Sequence, residues 1–463
     1  MMKRQMMLPI LLIVVWLGSL GLVVAEEPAS SPGAPLRLNV QKAVELAIGH
    51  NEQIQIADQQ ITEAEGQYTF YFADAFPQLN ASASYARDID RQYEILDMTM
   101  LNPLFAQFHL PPIKPTKFYF TYAHNWDFRL TLTQNIYLFG RLGHALNVSH
   151  ISKHLAREGR EIAVQDVAVA AKKAFFTALF AKEALAVTKV NLELIEMQRD
   201  SVKSKVAQGV MSRFDLLVVE SEVAAARPRV LEAQNNVLLS TEALLNVIGE
   251  PLNRAVELDG QLEFAQLNDT TPDLVNAALR ARPEIQALVL QAEMYEETYR
   301  IYRANYLPAL TANATASRTG GEDNRIWPDH PRDTLQPTLS FGVQLYVPLF
   351  DGLRNYGQMK QMQAKKREAQ LQLQLLRRGI EMEVTALVSE IKLQEQVYRA
   401  HQEAANVARE AHKLTTLRFD SGLSTRLEVT DARMNLINAE LGVISALYAL
   451  NAARADLDRA LGR

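Results

Sequence analysis

LSFGVQLYVPLFDGL, residues 339–353, sets one kind of backbone directly before another. Leu339, Phe341, Val343, Leu345 and Val347 alternate with Ser340, Gln344 and Tyr346, the period of two that gives a strand one apolar and one polar face. Pro348 and Gly352 end that pattern, and from about Leu353 to Asp420 the chain has no proline, with only Gly357 and Gly379 interrupting a helix-forming composition. At 1.5 Å per residue a helix over that run is about 100 Å long. It exceeds any ordinary globular helix and reads as coiled-coil packing.

The same order occurs earlier in the chain. Asn51-Glu52-Gln53-Ile54-Gln55 resembles Arg282-Pro283-Glu284-Ile285-Gln286, and Phe76-Pro77-Gln78-Leu79-Asn80-Ala81 resembles Leu307-Pro308-Ala309-Leu310-Thr311-Ala312, both at an offset of 231. Pro77 to Phe139 is 62 steps where Pro308 to Phe350 is 42, so the first copy carries a longer loop, after which Gly209 matches Gly422 and Gly249 matches Gly462 at an offset of 213. A shared offset over separated motifs marks an internal duplication. The first repeat is placed at 36–250, with a helix, strands at 79–87 and 126–134, a long helix at 141–208, a hairpin and a helix at 213–248. A linker follows at 251–272, and the second repeat at 273–463 carries strands at 310–318 and 339–347, a long helix at 352–420 and a helix at 426–461.

Each strand is about ten residues long, as a tilted membrane strand requires, and Phe118, Tyr119, Phe120, Tyr122 and Trp126 gather at one end like an interfacial girdle. Four strands cannot close on themselves, and open edges cannot sit in lipid, where no water satisfies them. The fold class that results is an internally duplicated α+β membrane protein. Several chains must share one β-barrel.

The turns joining the helices carry the sharpest local signals. Gly209 and Gly422 stand where a helix ends in a left-handed residue; Ser212 with Asp215, and Thr425 with Glu428, form capping boxes for the helices that follow. Pro228, aligned with Leu441 of the other copy, is expected to kink or break its helix. At the N-terminus, Lys3 and Arg4 precede an apolar run from Leu8 to Val24, with Val23 and Ala25 at a cleavage site. Residues 1–25 read as a signal peptide, and 26–35, rich in Pro, Ser and Ala, as a flexible leader.

The net charge of −5 with no basic block excludes nucleic acid as a partner, and the absence of cysteine excludes disulfides and thiolate sites. The nine histidines read as scattered, with no pair at metal-ligand spacing, and neither a phosphate-cradling loop nor a nucleophile elbow is found. No catalysis, cofactor or metal site is expected. A periplasmic coiled-coil adaptor is the alternative, but such proteins would show one hairpin flanked by compact β-domains.

Taken in order, Leu38-Asn39-Val40-Gln41-Lys42-Ala43-Val44-Glu45-Leu46-Ala47, the two proline-led strand starts, Val347-Pro348-Leu349-Phe350-Asp351-Gly352-Leu353, Phe419-Asp420-Ser421-Gly422-Leu423-Ser424 and Leu461-Gly462 resemble the TolC-like outer-membrane efflux protein family (outer membrane factors) over nearly the whole mature chain. The resemblance implies a homotrimer in the outer membrane of a Gram-negative-type bacterium, with a twelve-stranded barrel in outer-membrane lipid and a periplasmic tube. It further implies a periplasmic adaptor (membrane fusion protein) and an inner-membrane pump or ABC exporter as partners. By the same resemblance, Gly209, Val210, Ser212, Gly422, Leu423 and Ser424 are adaptor-docking hairpin tips, Glu428 and Asp431 line the periplasmic entrance, and Asp215 helps hold it closed. The family's cationic gate residue falls at Ser424, with Arg426 two residues on, so a closed-state ion pair is not assured by the sequence.

Overall fold

The computed structural model describes residues 36–463; the signal peptide and leader read from the sequence lie outside the described residues. The chain opens with β1 (Leu36–Leu38), α1 (Val40–His50) and α2 (Glu52–Ala73). Asn39 and Asn51 begin the two helices, their side chains accepting from the amides of Lys42 and Gln53. Next come β2 (Gln78–Arg87), an outer insert of β3 (Tyr93–Leu96), α3 (Asn102–Gln107) and β4 (Thr116–Tyr119), and then β5 (His124–Tyr137). Two long helices follow, α4 (Arg141–Ala207) of 67 residues and α5 (Arg213–Val247) of 35.

After β6 (Val256–Leu258) the pattern recurs as α6 (Thr271–Ala281), α7 (Pro283–Ala304), β7 (Ala309–Glu322), the one-turn α8 (Pro331–Thr334), β8 (Gln336–Tyr346), α9 (Arg354–Asp420) and α10 (Arg426–Ala460). The helix starts keep the two sequence offsets: 354 − 141 and 426 − 213 are both 213, while 271 − 40 and 283 − 52 are both 231. α5 runs through Pro228 without a break. The ring removes the amide that would bond the carbonyl of Ala224, yet the helix continues on both sides.

The stretch read as a linker is partly ordered into a sheet. β6 pairs in parallel with β1, from Leu36 opposite Val256 to Leu38 opposite Leu258. Leu38, Leu258 and Leu262 then join Ala43 and Ala47 of α1 in one core with Phe175 and Leu179 of α4, Leu244 and Leu245 of α5, and Ile248 just past the end of α5. This collar module is clamped to one side of α4.

The main sheet is antiparallel, in the order β2-β5-β7-β8. Its register aligns the alternating residues of all four strands. Leu79 lies opposite Leu132, Leu132 opposite Ala314, and Ala314 opposite Phe341; Ala81, Leu130, Ala316 and Leu339 form the neighbouring row. Residues directly opposite share a face, so one side of the sheet is continuously apolar and exposed, with Leu79, Leu339, Phe341, Val343 and Leu345 at its surface. The other side carries Asn80, Thr131, Thr315 and Ser340 in one row. The outer edges of β2 and β8 pair with nothing among the described residues.

The aromatic girdle differs from the sequence expectation. Phe118 and Tyr119 belong to β4, which pairs with β3 and not with the main sheet. The aromatic cluster at the outer end is Tyr85, Trp126, Phe128 and Trp327, with Trp126 4.7 Å from Tyr85 and 4.8 Å from Trp327 between ring centres.

Below the sheet, four helices stand side by side in the order α2, α4, α7, α9. Lys153 and Arg160 of α4 reach Glu65 and Asp58 of α2 at 2.6 Å each. On the opposite flank, His144 of α4 contacts Glu297 of α7 at 2.7 Å, and Lys366 of α9 contacts Glu296 of α7 at 3.0 Å. Further down, α5 and α10 take over as neighbours, with Arg459 of α10 bonded to Asp166 of α4 at 2.6 Å.

Candidate functional site

The two helical hairpins end in matching turns. Gly209 and Gly422 adopt φ values of +76° and +75°, the left-handed region that glycine enters without steric cost. The amides of Val210 and Leu423 then donate to the carbonyls of Lys205 and Arg418, at 2.9 and 2.8 Å, closing the last turn of each long helix. The apolar side chains that follow are left in solvent: Val210 and Leu423 are 72% and 71% exposed.

The caps of the next helices differ in one respect. Thr425 Oγ1 accepts from the Glu428 amide while the Glu428 carboxylate accepts from the Thr425 amide, each at 3.2 Å, completing a capping box. Ser212 Oγ accepts from the Asp215 amide at 3.2 Å, but the Asp215 carboxylate takes the Ser212 hydroxyl at 2.7 Å. Asp215 is one methylene too short for the reciprocal bond, so the first hairpin has half of the expected box.

Ser424 donates its hydroxyl to Glu428. That bond, then the Thr425 amide and the charge of Arg418, hold the Glu428 carboxyl below its ordinary range. Glu428 and Asp431 face the same way on α10 and line an open groove with Glu403, Val407 and Ala411 of α9.

The opposite face of α10 holds an ion-pair ladder. Arg426 donates to Glu222 at 3.1 Å and its Nε lies 3.8 Å from Asp215; Arg433, only 2% exposed, donates to the same Glu222 at 2.7 Å and to Asn191 at 3.3 Å. Burial pulls the Arg433 guanidinium down from its ordinary value and Glu222 pushes it back. Burial of its own ring, and then the charge of Arg433, keep the His412 imidazole low. A second tie crosses at the helix ends, where Lys205 donates to the Phe419 carbonyl at 2.6 Å and sits 3.8 Å from the centre of its ring.

The predicted acids therefore divide. Asp215 joins the ladder between hairpins, while Glu428 and Asp431 stand together on the groove. Glu222, Arg433 and Lys205 were not found from the sequence. Glu222 and Arg433 had one signal, a spacing of seven, since Asp215 and Glu222 on α5, and Arg426 and Arg433 on α10, each repeat on one helix face; Lys205 had none.

A family model described as outer membrane efflux protein matches residues 43–250 and 274–463. Outer membrane protein TolC of Vibrio cholerae is 22% identical over 301 residues, 63% of this chain and 66% of that protein. Outer membrane protein OprJ of Pseudomonas aeruginosa is 23% identical over 430 residues, 91% of this chain and 84% of that protein. The crystal structure of the outer membrane protein VceC from Vibrio cholerae has the same fold, with a TM-score of 0.71 at 18% identity over 91% of this chain and 96% of that one. With both units of the duplication matched, the chain belongs to the outer membrane efflux protein family and is an outer-membrane exit duct of the kind that serves tripartite efflux systems.

Proposed function

We propose that three copies of this chain close a twelve-stranded barrel, β8 of each copy pairing with β2 of the next, and that their helices continue it as a periplasmic tube. The observation that carries this reading is the sheet itself, apolar on one face, polar on the other and open at both edges. In lipid each unpaired edge group costs several kcal/mol, on the order of an unsatisfied hydrogen bond. Edge-to-edge closure removes that cost and turns the polar face into a lumen. The duct is passive: a periplasmic adaptor and an inner-membrane pump or ABC exporter select the cargo, small molecule or protein, and supply the energy.

At the tip, Gly209, Val210, Ser212, Gly422, Leu423 and Ser424 form the adaptor-docking surface. The exposed Val210 and Leu423 give it an apolar contact, and the glycines fix their direction. Glu428 and Asp431, repeated threefold, place six carboxylates around the entrance and concentrate cations there. Asp215 acts with Glu222, Arg426 and Arg433 as a latch between the hairpins of one chain.

Light scattering on detergent-extracted protein, followed by single-channel recording on the same sample, tests the reading. Three chains per particle and a conducting pore are expected. A water-soluble, non-conducting monomer would overturn it.

A further inference from the structure

The expectation that the histidines are scattered, with no pair at metal-ligand spacing, fails at one place. His150 and His154 of α4 are four residues apart, so they stand one turn above each other on the same helix face. Their ring centres are 4.7 Å apart, with the planes at 63°. Among the described residues neither ring has a hydrogen-bond or ion-pair partner, whereas His144 is taken by Glu297 and His124 by Tyr85. Two imidazoles one helical turn apart, with their nitrogens free, match the arrangement by which a helix chelates a transition-metal ion.

We propose that His150 and His154 form a bidentate site for a borderline divalent cation such as Zn²⁺, Ni²⁺ or Cu²⁺, one ion per chain. Metal–nitrogen bonds of about 2.0–2.1 Å span the gap between rings this close after small side-chain rotations. Among the described residues no third His, Cys, Asp or Glu groups with the pair. Water completes the coordination, and the site is an open one that exchanges its ion. Imidazole donors select against Mg²⁺ and Ca²⁺, which take oxygen ligands.

The pair is also placed where assembly leaves it accessible. α4 is flanked by α2 through Lys153 and Arg160, and by α7 through His144, both in its own chain. His150 and His154 lie on neither flank. They begin a stripe that continues through Arg157, Glu161, Val164, Ala168, Ala171 and Phe175, alternating steps of four and three, and its lower end packs against the collar module. Three collars on the inner side would plug the tube, so the stripe faces outward, above the collar. This placement rests on the proposed ring; the chelate does not.

The test is calorimetric titration of tag-free, chelator-treated detergent-solubilised protein with ZnCl₂, using MgCl₂ as control and light scattering on the same sample. Saturable Zn²⁺ binding at one ion per chain, lost in both His150→Gln and His154→Gln and retained in His144→Gln, is the expected result. Binding that survives the first two substitutions, or no saturable binding, overturns the site. An intact trimer that binds no Zn²⁺ refutes the site and leaves the duct reading standing. Copper titrated into the unsubstituted protein gives a second reading that needs no variant: electron paramagnetic resonance should show two nitrogen ligands, and an all-oxygen spectrum overturns the site.

Discussion

Arg433 is the residue with the most at stake. Its guanidinium is 2% exposed and shares Glu222 with Arg426. Removing one partner of a buried ion pair leaves an uncompensated charge, which costs about 3 kcal/mol or more. Glu222→Ala is therefore expected to raise amide exchange at the ends of α5 and α10 by that free energy, read by hydrogen–deuterium exchange, while the sheet is unchanged. Uniform exchange across the tip would remove Glu222 from the latch. Glu428 gives a pH-dependent counterpart. Its ordinary value is 4.5, and the Ser424 hydroxyl lowers it. A depressed carboxyl contributes stability above its unfolded value and loses it as the pH falls through the folded one. The midpoint at which the proposed cation preference is lost should therefore lie below pH 4.5, and Ser424→Ala should move that midpoint upward. A midpoint at or above the ordinary value would show that the bond is absent. Reversing both Glu428 and Asp431 to Lys should abolish the preference in planar-bilayer recordings, and unchanged selectivity would exclude them from the entrance. The Glu428 cap was legible because it sits beside a glycine stop. Arg433 and Glu222 were not, because charges within a long helix look like any solvated face until the partner helix is in place.

At the scale of elements, period two was enough to read the four strands, since Leu339, Phe341, Val343 and Leu345 alternate without exception. Three-residue β6 was not, because so short a strand carries no period, and its pairing with β1 spans 220 residues between Arg37 and Glu257. β4 misled for a related reason: its aromatics look like girdle residues, but partner choice is not written in a single strand. The facing of β8 is testable. Val343→Arg should cost about 2–4 kcal/mol per chain at mid-membrane depth and lower the yield of assembled protein, while Gln344→Arg, on the polar face, should assemble normally. The reverse result would mean that the sheet is inside out. For α5, Pro228→Leu restores the bond to Ala224 and should raise the thermal midpoint, measured by circular dichroism, since proline inside a helix costs about 3 kcal/mol relative to a good helix former. A fall would mean that the proline is needed for the path of α5 along α4.

At the scale of the molecule, the duplication was visible because each unit preserves its spacing: offsets of 213 and 231 recur in the helix starts. Such spacing records architecture without recording partners. The margins of β2 and β8, unpaired among the described residues, carry a kinetic consequence. In the proposed ring the sheet is complete only when three chains meet, which makes membrane insertion a third-order process at low concentration, so halving the supply of chains should cut the initial rate of duct formation about eightfold. Expression level, more than intrinsic stability, would then decide whether a cell has an outlet at all.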